Sequence, residues 1–204
     1  MKLLLRTLLA VAALAAAAPA ADAGVLVRSA PDCATQSLSR PFTPWLDFAW
    51  YTPVAGGAFE AGAPGWTLSS GTKVVDGNEP WRVRGDDHRR SLKIPSGGKA
   101  TSPTICVGLG HPTLRFFARR VGGTALSTLR VDVRFELSTG TVVTAPVGVI
   151  VSGSQWAATL PGAVVANLLP LLPGETTPIQ FRFVPQGSAA WQIDDVLVDP
   201  WRNR

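Results

Sequence analysis

Residues 129–137 read Leu-Arg-Val-Asp-Val-Arg-Phe-Glu-Leu, five apolar side chains alternating without a break with four charged ones. A repeat of two places the apolar set on one face of a strand and the charges on the other, whereas a helix would scatter the charges around its axis. Residues 179–183 and 91–94 repeat the pattern more briefly. Further strands are expected at 65–69, 73–76, 81–84, 104–107, 114–118, 142–151 and 191–198. The 20 glycines and 17 prolines cut the chain between these segments at short intervals. Many short strands with turn signals between them predict an all-β protein, a two-sheet antiparallel β-sandwich with little helix. Residues 162–172 are the exception. Ala163 to Leu169 can form one or two helical turns within a loop, and Pro170 and Pro173 stop anything longer. No repeat or low-complexity linker appears, so the expected organisation is a removable segment at 1–23, a poorly patterned lead-in at 24–50 and one sandwich domain at 51–204.

The first 23 residues have the form of an export signal: Lys2 and Arg6, an apolar run from Leu8 to Ala18, and Ala21-Asp22-Ala23 as a small-x-small cleavage site. The expected compartment is therefore extracellular, with no membrane span in the mature chain. In an oxidising compartment the two cysteines, Cys33 and Cys106, are expected to form one structural disulfide, which peptide mapping under non-reducing conditions reads directly. A redox pair would need closer spacing. Two histidines and two cysteines argue against a zinc cage or a haem site. The formal net charge is +5, but the arginines are scattered singly or in pairs, a pattern of solvated strand faces and not of a nucleic-acid stripe. There is no Gly-x-Ser-x-Gly elbow, no carboxylate dyad with distinctive spacing, and both histidines sit in turn-like surroundings. The chain is not expected to be an enzyme.

Two stretches carry the most specific information. One runs Gly56-Gly57-Ala58-Phe59-Glu60-Ala61-Gly62 and on to Gly65-Trp66-Thr67-Leu68; the other is Trp191-Gln192-Ile193-Asp194-Asp195-Val196-Leu197-Val198. Together they resemble the first and last strands of galactose-binding-like jelly rolls, the sandwich used by many carbohydrate-binding modules. The middle of the chain, with Gly77-Asn78-Glu79-Pro80, Cys106-Val107-Gly108 and 114–119, resembles a family of exported actinobacterial proteins of unassigned function. In a regular final strand, Ile193, Asp195 and Leu197 share one face and Asp194, Val196 and Val198 the other, so whichever face is buried carries a carboxylate. Glu60 lies in the opening strand, expected beside the last one. Two carboxylates meeting there suit calcium, which takes oxygen ligands, and the resembling modules hold a structural calcium in this region. The alternative is that Glu60 and Asp194 accept protein hydrogen bonds with no metal.

Of the seven tryptophans, Trp66 and Trp191 sit in the terminal strand motifs and are expected in the core, with Trp45, Trp50 and Trp201 near the chain ends and over the sandwich edge. Trp81 and Trp156 are flanked by small or polar residues and are the candidate ligand platforms, with Arg82 and Gln155 as hydroxyl-binding neighbours. The expected partner is a polysaccharide or cell-surface glycan. The alternative from a different class is a structural or protein-interaction domain of the cell surface, and burial of both Trp81 and Trp156 would favour it.

Overall fold

The computed structural model describes residues 26–28, 36–111, 113–164 and 175–199. The expected export segment, Cys33, Trp201 and most of the short helical segment within 162–172 lie outside these residues. Cys106 is described and is not a free thiol.

Among the described residues thirteen strands follow one another: β1 (Thr52–Pro53), β2 (Thr67–Ser69), β3 (Lys73–Asp76), β4 (Arg90–Ile94), β5 (Lys99–Thr101), β6 (Ile105–Gly108), β7 (Thr113–Val121), β8 (Thr128–Glu136), β9 (Val142–Ile150), β10 (Ala157–Ala158), β11 (Gly162–Ala163), β12 (Thr176–Gln186) and β13 (Ala190–Asp199). They form two antiparallel sheets. The first runs β10-β7-β13-β4-β3, with β1 added to β13 and β11 to β7; the second runs β2-β5-β12-β8-β9, with β6 added to β12. This is the two-sheet sandwich expected from the alternation. The period-two reading is most literal in β12, whose residues alternate between buried and half-buried along most of its length. Among the described residues no helix is long and apolar enough to cross a membrane.

The main core lies between the sheets, where Phe116 of β7 meets Phe183 of β12 edge to face at 5.2 Å, and Phe183 meets Trp66 at 5.9 Å. Trp66 and Trp191 are both buried there, as expected. The lead-in is less loose than its sequence suggested. Val27 is buried in the main core and bridges Leu137, while Ser39 bridges Tyr51 and closes 39–51 into a flap.

Three expectations need correction. Residues 81–84 form a turn instead of a strand: the Glu79 carboxylate accepts the N–H groups of Trp81 (2.5 Å) and Val83 (2.8 Å), and Arg82 adopts φ 51°. These bonds satisfy locally the donors that a neighbouring strand would have taken. Glu60 does not lie in an opening strand but in a run of turns. The alternation expected for the last strand breaks at Asp195, where φ is 46° and the pairing of β13 with β7 shifts register between Asp194 and Leu197. The bulge delivers Ile193, Val196 and Val198 to the main core and puts Leu197 into a second apolar cluster.

Candidate functional site

The second cluster defines the outer face of the first sheet. Phe116 and Phe117 are adjacent, so a strand must send them to opposite sides: Phe116 enters the main core, and Phe117 joins Phe42, Tyr51 and Leu197 outside it. The flap at 39–51 covers part of this face. Phe42 stacks on Phe117 with ring centres 5.4 Å apart, and Tyr51 meets Phe42 edge to face at 4.9 Å.

Polar contacts pin the flap to β7. The Arg115 guanidinium lies 4.1 Å over the Phe42 ring, ion-pairs with Asp47, and donates from Nε to the Thr159 carbonyl at 2.9 Å. Asp47 also accepts from the Tyr51 hydroxyl at 2.7 Å and from the Ala49 N–H at 3.0 Å. Burial alone would raise the Asp47 pKa, but these donors outweigh it and hold the carboxyl below its ordinary value. Burial and the same contact drive the Tyr51 phenol upward.

Both candidate platform tryptophans reach this face. Trp81 is 44% exposed, lies over Phe117 at 5.4 Å with an interplanar angle of 31°, and meets Trp45 edge to face at 5.0 Å. Trp156 is half-buried against the same cluster, and Arg119 sits 5.1 Å over its ring. Neither is buried in the main core. Arg82 is exposed and donates to the Asp86 carbonyl at 3.0 Å, and Gln155 is exposed beside Trp156. The sequence reading missed Trp45, Phe117 and Arg119 as members of this group. The doubled Phe116-Phe117 was the available signal, because two adjacent large apolar residues in a strand imply cover on both sides.

Of the two expected metal residues, Asp194 lies in a buried acidic group with Glu79 and Asp195, while Glu60 is only half-buried and near enough for its charge to act on Asp195. Glu79, Asp194 and Asp195 are all essentially inaccessible to solvent. Asp194 accepts from the N–H groups of Glu79 (3.2 Å) and Asp195 (2.9 Å), and Glu60 accepts from those of Arg89 and Arg90, each at 2.8 Å. Asp195 Oδ1 is buried with no hydrogen-bond partner. Burial first, then repulsion from Asp195, pushes the Asp194 pKa upward. Asp195 is raised in turn by burial and by the charges of Glu79 and Glu60, against the pull of Arg84. Among the described residues no three such side chains converge as they stand to hold a metal ion. The donor set is nevertheless all hard oxygen, and it contains an unpartnered, buried carboxylate oxygen. That chemistry fits calcium and does not fit a soft metal. His111 offers no general base: its two ring nitrogens are occupied by the Gly108 N–H and Gln36, and burial lowers its pKa.

Solved structures with the same general fold include the N-terminal endo-1,4-beta-D-xylanase 10B of Clostridium thermocellum, its CBM22-1-GH10 modules complexed with xylohexaose. It is 17% identical with a TM-score of 0.53, over 72% of this chain and 28% of that one. The likeness is one of fold. The present chain thus spans under a third of that protein's length. The C-terminal family 22 carbohydrate binding module from the same organism (16% identical, TM-score 0.49, 73% and 96% covered) and the CBM22-1 xylan-binding domain of Paenibacillus barcinonensis (17%, 0.48, 72% and 94%) align over similar spans. No protein-family model and no curated protein matches the chain.

Proposed function

We propose that this protein is exported and binds a polysaccharide without cleaving it, on the outer face of the first sheet. The observation that carries the reading is the half-exposed aromatic group there: Trp81 and Trp156 both rest on the cluster around Phe117 and leave ring surface open to solvent. A sugar ring's C–H face stacks on such an indole, and Arg82 and Gln155 stand beside the two rings to take hydroxyls. Xylohexaose in the Clostridium thermocellum structure supports the class of ligand and does not name it. Calcium belongs to the same proposal. The carboxylates of Glu60, Glu79, Asp194 and Asp195 would hold it, and the ion would neutralise charge buried where β13 bulges. The Cys33–Cys106 bond would then tie the lead-in to β6.

The test is a glycan array and titration with wild type, Trp81→Ala and Trp156→Ala. Wild type is expected to bind at least one polysaccharide with micromolar to millimolar affinity, as stacking contacts of this size give. Each variant should weaken that binding by about tenfold, equivalent to about 1.4 kcal/mol, with an unchanged circular dichroism spectrum. Wild type that ignores every glycan but retains a protein partner would replace this reading with the surface-interaction one.

A further inference from the structure

Strand pairing assembles a row of side chains that no stretch of sequence displays. On the outer face of the first sheet, Lys73 of β3 stands directly opposite Lys93 of β4, Lys93 opposite Gln192 of β13, and Gln192 opposite Arg119 of β7. The Ala157–Ala118 pairing places Trp156 next to Arg119, and the guanidinium over the indole confirms that they share the face. Gln192 binds both Arg119 and Ser91, which fixes the direction of this face across three strands. The row lies beside the area closed by the flap and is partly open, with Lys73 exposed and Lys93 and Arg119 half-buried.

Among the described residues these three cations have no carboxylate partner. The ion pairs there are Arg28–Glu136, Arg115–Asp47, Arg130–Asp132 and Arg182–Asp132. Arg119 binds only the neutral Gln192 amide and the Trp156 ring, and neither lysine side chain makes a hydrogen bond. Like charges directly opposite on neighbouring strands destabilise a sheet. Lys73 and Lys93 are such a pair, and a third cation follows two strands on. An arrangement that costs stability when empty is explained if an anion sits across it.

We propose that the glycan bound on this face is acidic, with uronate carboxylates received by Arg119, Lys93 and Lys73 while Trp156 stacks on a sugar ring at the end of the row. This rests on the polysaccharide reading above and narrows its ligand class. Three strand spacings separate Arg119 from Lys73, about 14 Å, which suits an extended chain of more than one sugar better than a single small anion. Three cations over that length are sparse for a nucleic acid, whose duplex carries a charge about every 1.7 Å. Carboxylates make short charge-assisted hydrogen bonds with guanidinium and ammonium groups, so the row supplies specificity that neutral stacking lacks.

The experiment titrates the full chain with polygalacturonate, alginate and glucuronoxylan, each paired with its methyl-esterified or carboxyl-reduced form, at low and moderate salt. At least one acidic form should bind tenfold or more tightly than its neutral counterpart, and salt should erode the difference. Lys73→Gln and Lys93→Gln should each lower affinity for that acidic form several-fold and leave the neutral form unaffected. The melting temperature of Lys73→Gln should equal or exceed that of wild type, because the change relieves the opposed charges. Equal binding of acidic and neutral forms, or lysine variants that bind like wild type, would overturn this inference while leaving a neutral-glycan site standing. Binding of none of the six polymers would overturn it, and the polysaccharide reading falls with it where the glycan array is silent as well. Equally tight binding of duplex DNA would also overturn it, in favour of unspecific attraction to polyanions.

Discussion

Asp47→Ala is expected to cost about 3 kcal/mol of stability, at the lower end of what removing one partner of a buried ion pair costs, and to lower the melting temperature by roughly 10 °C. The reason lies in what the substitution leaves behind. Arg115 has a side chain only 5% exposed, and its partner Asp47 is 18% exposed. Without the carboxylate, Arg115 keeps the Thr159 carbonyl and the Phe42 ring but holds a largely desolvated charge with no counter-ion. The Tyr51 hydroxyl and the Ala49 N–H lose their acceptor in the same step. The flap should then loosen from Phe117, so Trp45, which contacts both Phe42 and Phe117, should gain exposure and change its fluorescence. Arg115→Met removes the charge itself and should cost less than Asp47→Ala. Chemical denaturation of the three proteins checks the order. An Asp47→Ala variant within 0.5 kcal/mol of wild type would mean that the ion pair does not hold the flap.

The second large effect is a dependence on pH that runs opposite to ordinary acid unfolding. In calcium-free protein, burial pushes the Asp194 carboxyl up to about 9, and Asp195 is raised with it. The folded protein therefore keeps protons that the unfolded chain has released above about pH 4. Stability from these groups is fully present below that pH and is lost as pH rises toward 9. The total is on the order of several kcal/mol, since each tenfold gain in proton affinity on folding corresponds to about 1.4 kcal/mol. Asp47, held low by its donors, works the other way and loses its contribution as pH falls below its unfolded value. Chelator-treated protein should thus be most stable near pH 4 to 5 and weaken steadily through neutrality. Asp194→Asn should flatten the slope and raise stability at pH 8. With calcium bound as proposed, the ion would compete with protons for these oxygens, so its stabilising effect should grow from pH 5 to pH 8. Thermal melts across pH, with chelator and with calcium, make the comparison. Stability that stays level or rises between pH 5 and 9 in chelator would contradict it.

How much of this the sequence disclosed depended on whether one side of a strand faces water. β8 and β12 alternate because only one of their faces is deeply buried, so their period was plain. β13 is buried on both faces, its outer side covered in part by a flap whose own sequence shows no pattern, and alternation alone could not anticipate the bulge at Asp195. Glu79 stood in the sequence only as part of the Gly77-Asn78-Glu79-Pro80 motif, with no role attached; its carboxylate organises the turn that presents Trp81. Trp81 and Trp156 were visible as candidates from their polar neighbours. Arg119, Lys93 and Lys73 were not, because only strand register brings residues so distant in the chain into one row.

The central claim is that ligand binds the outer face of the first sheet, and the tryptophans themselves can report it. Nitrogen-15-labelled protein gives a separate indole N–H signal for each of its seven tryptophans, assignable with single Trp→Phe variants. With saturating oligosaccharide from a polymer that the protein binds, the signals of Trp81 and Trp156 are expected to shift, while those of Trp66 and Trp191, buried in the main core, stay in place. Shifts confined to other tryptophans, or an outer face that leaves both Trp81 and Trp156 unmoved at saturation, would contradict the account.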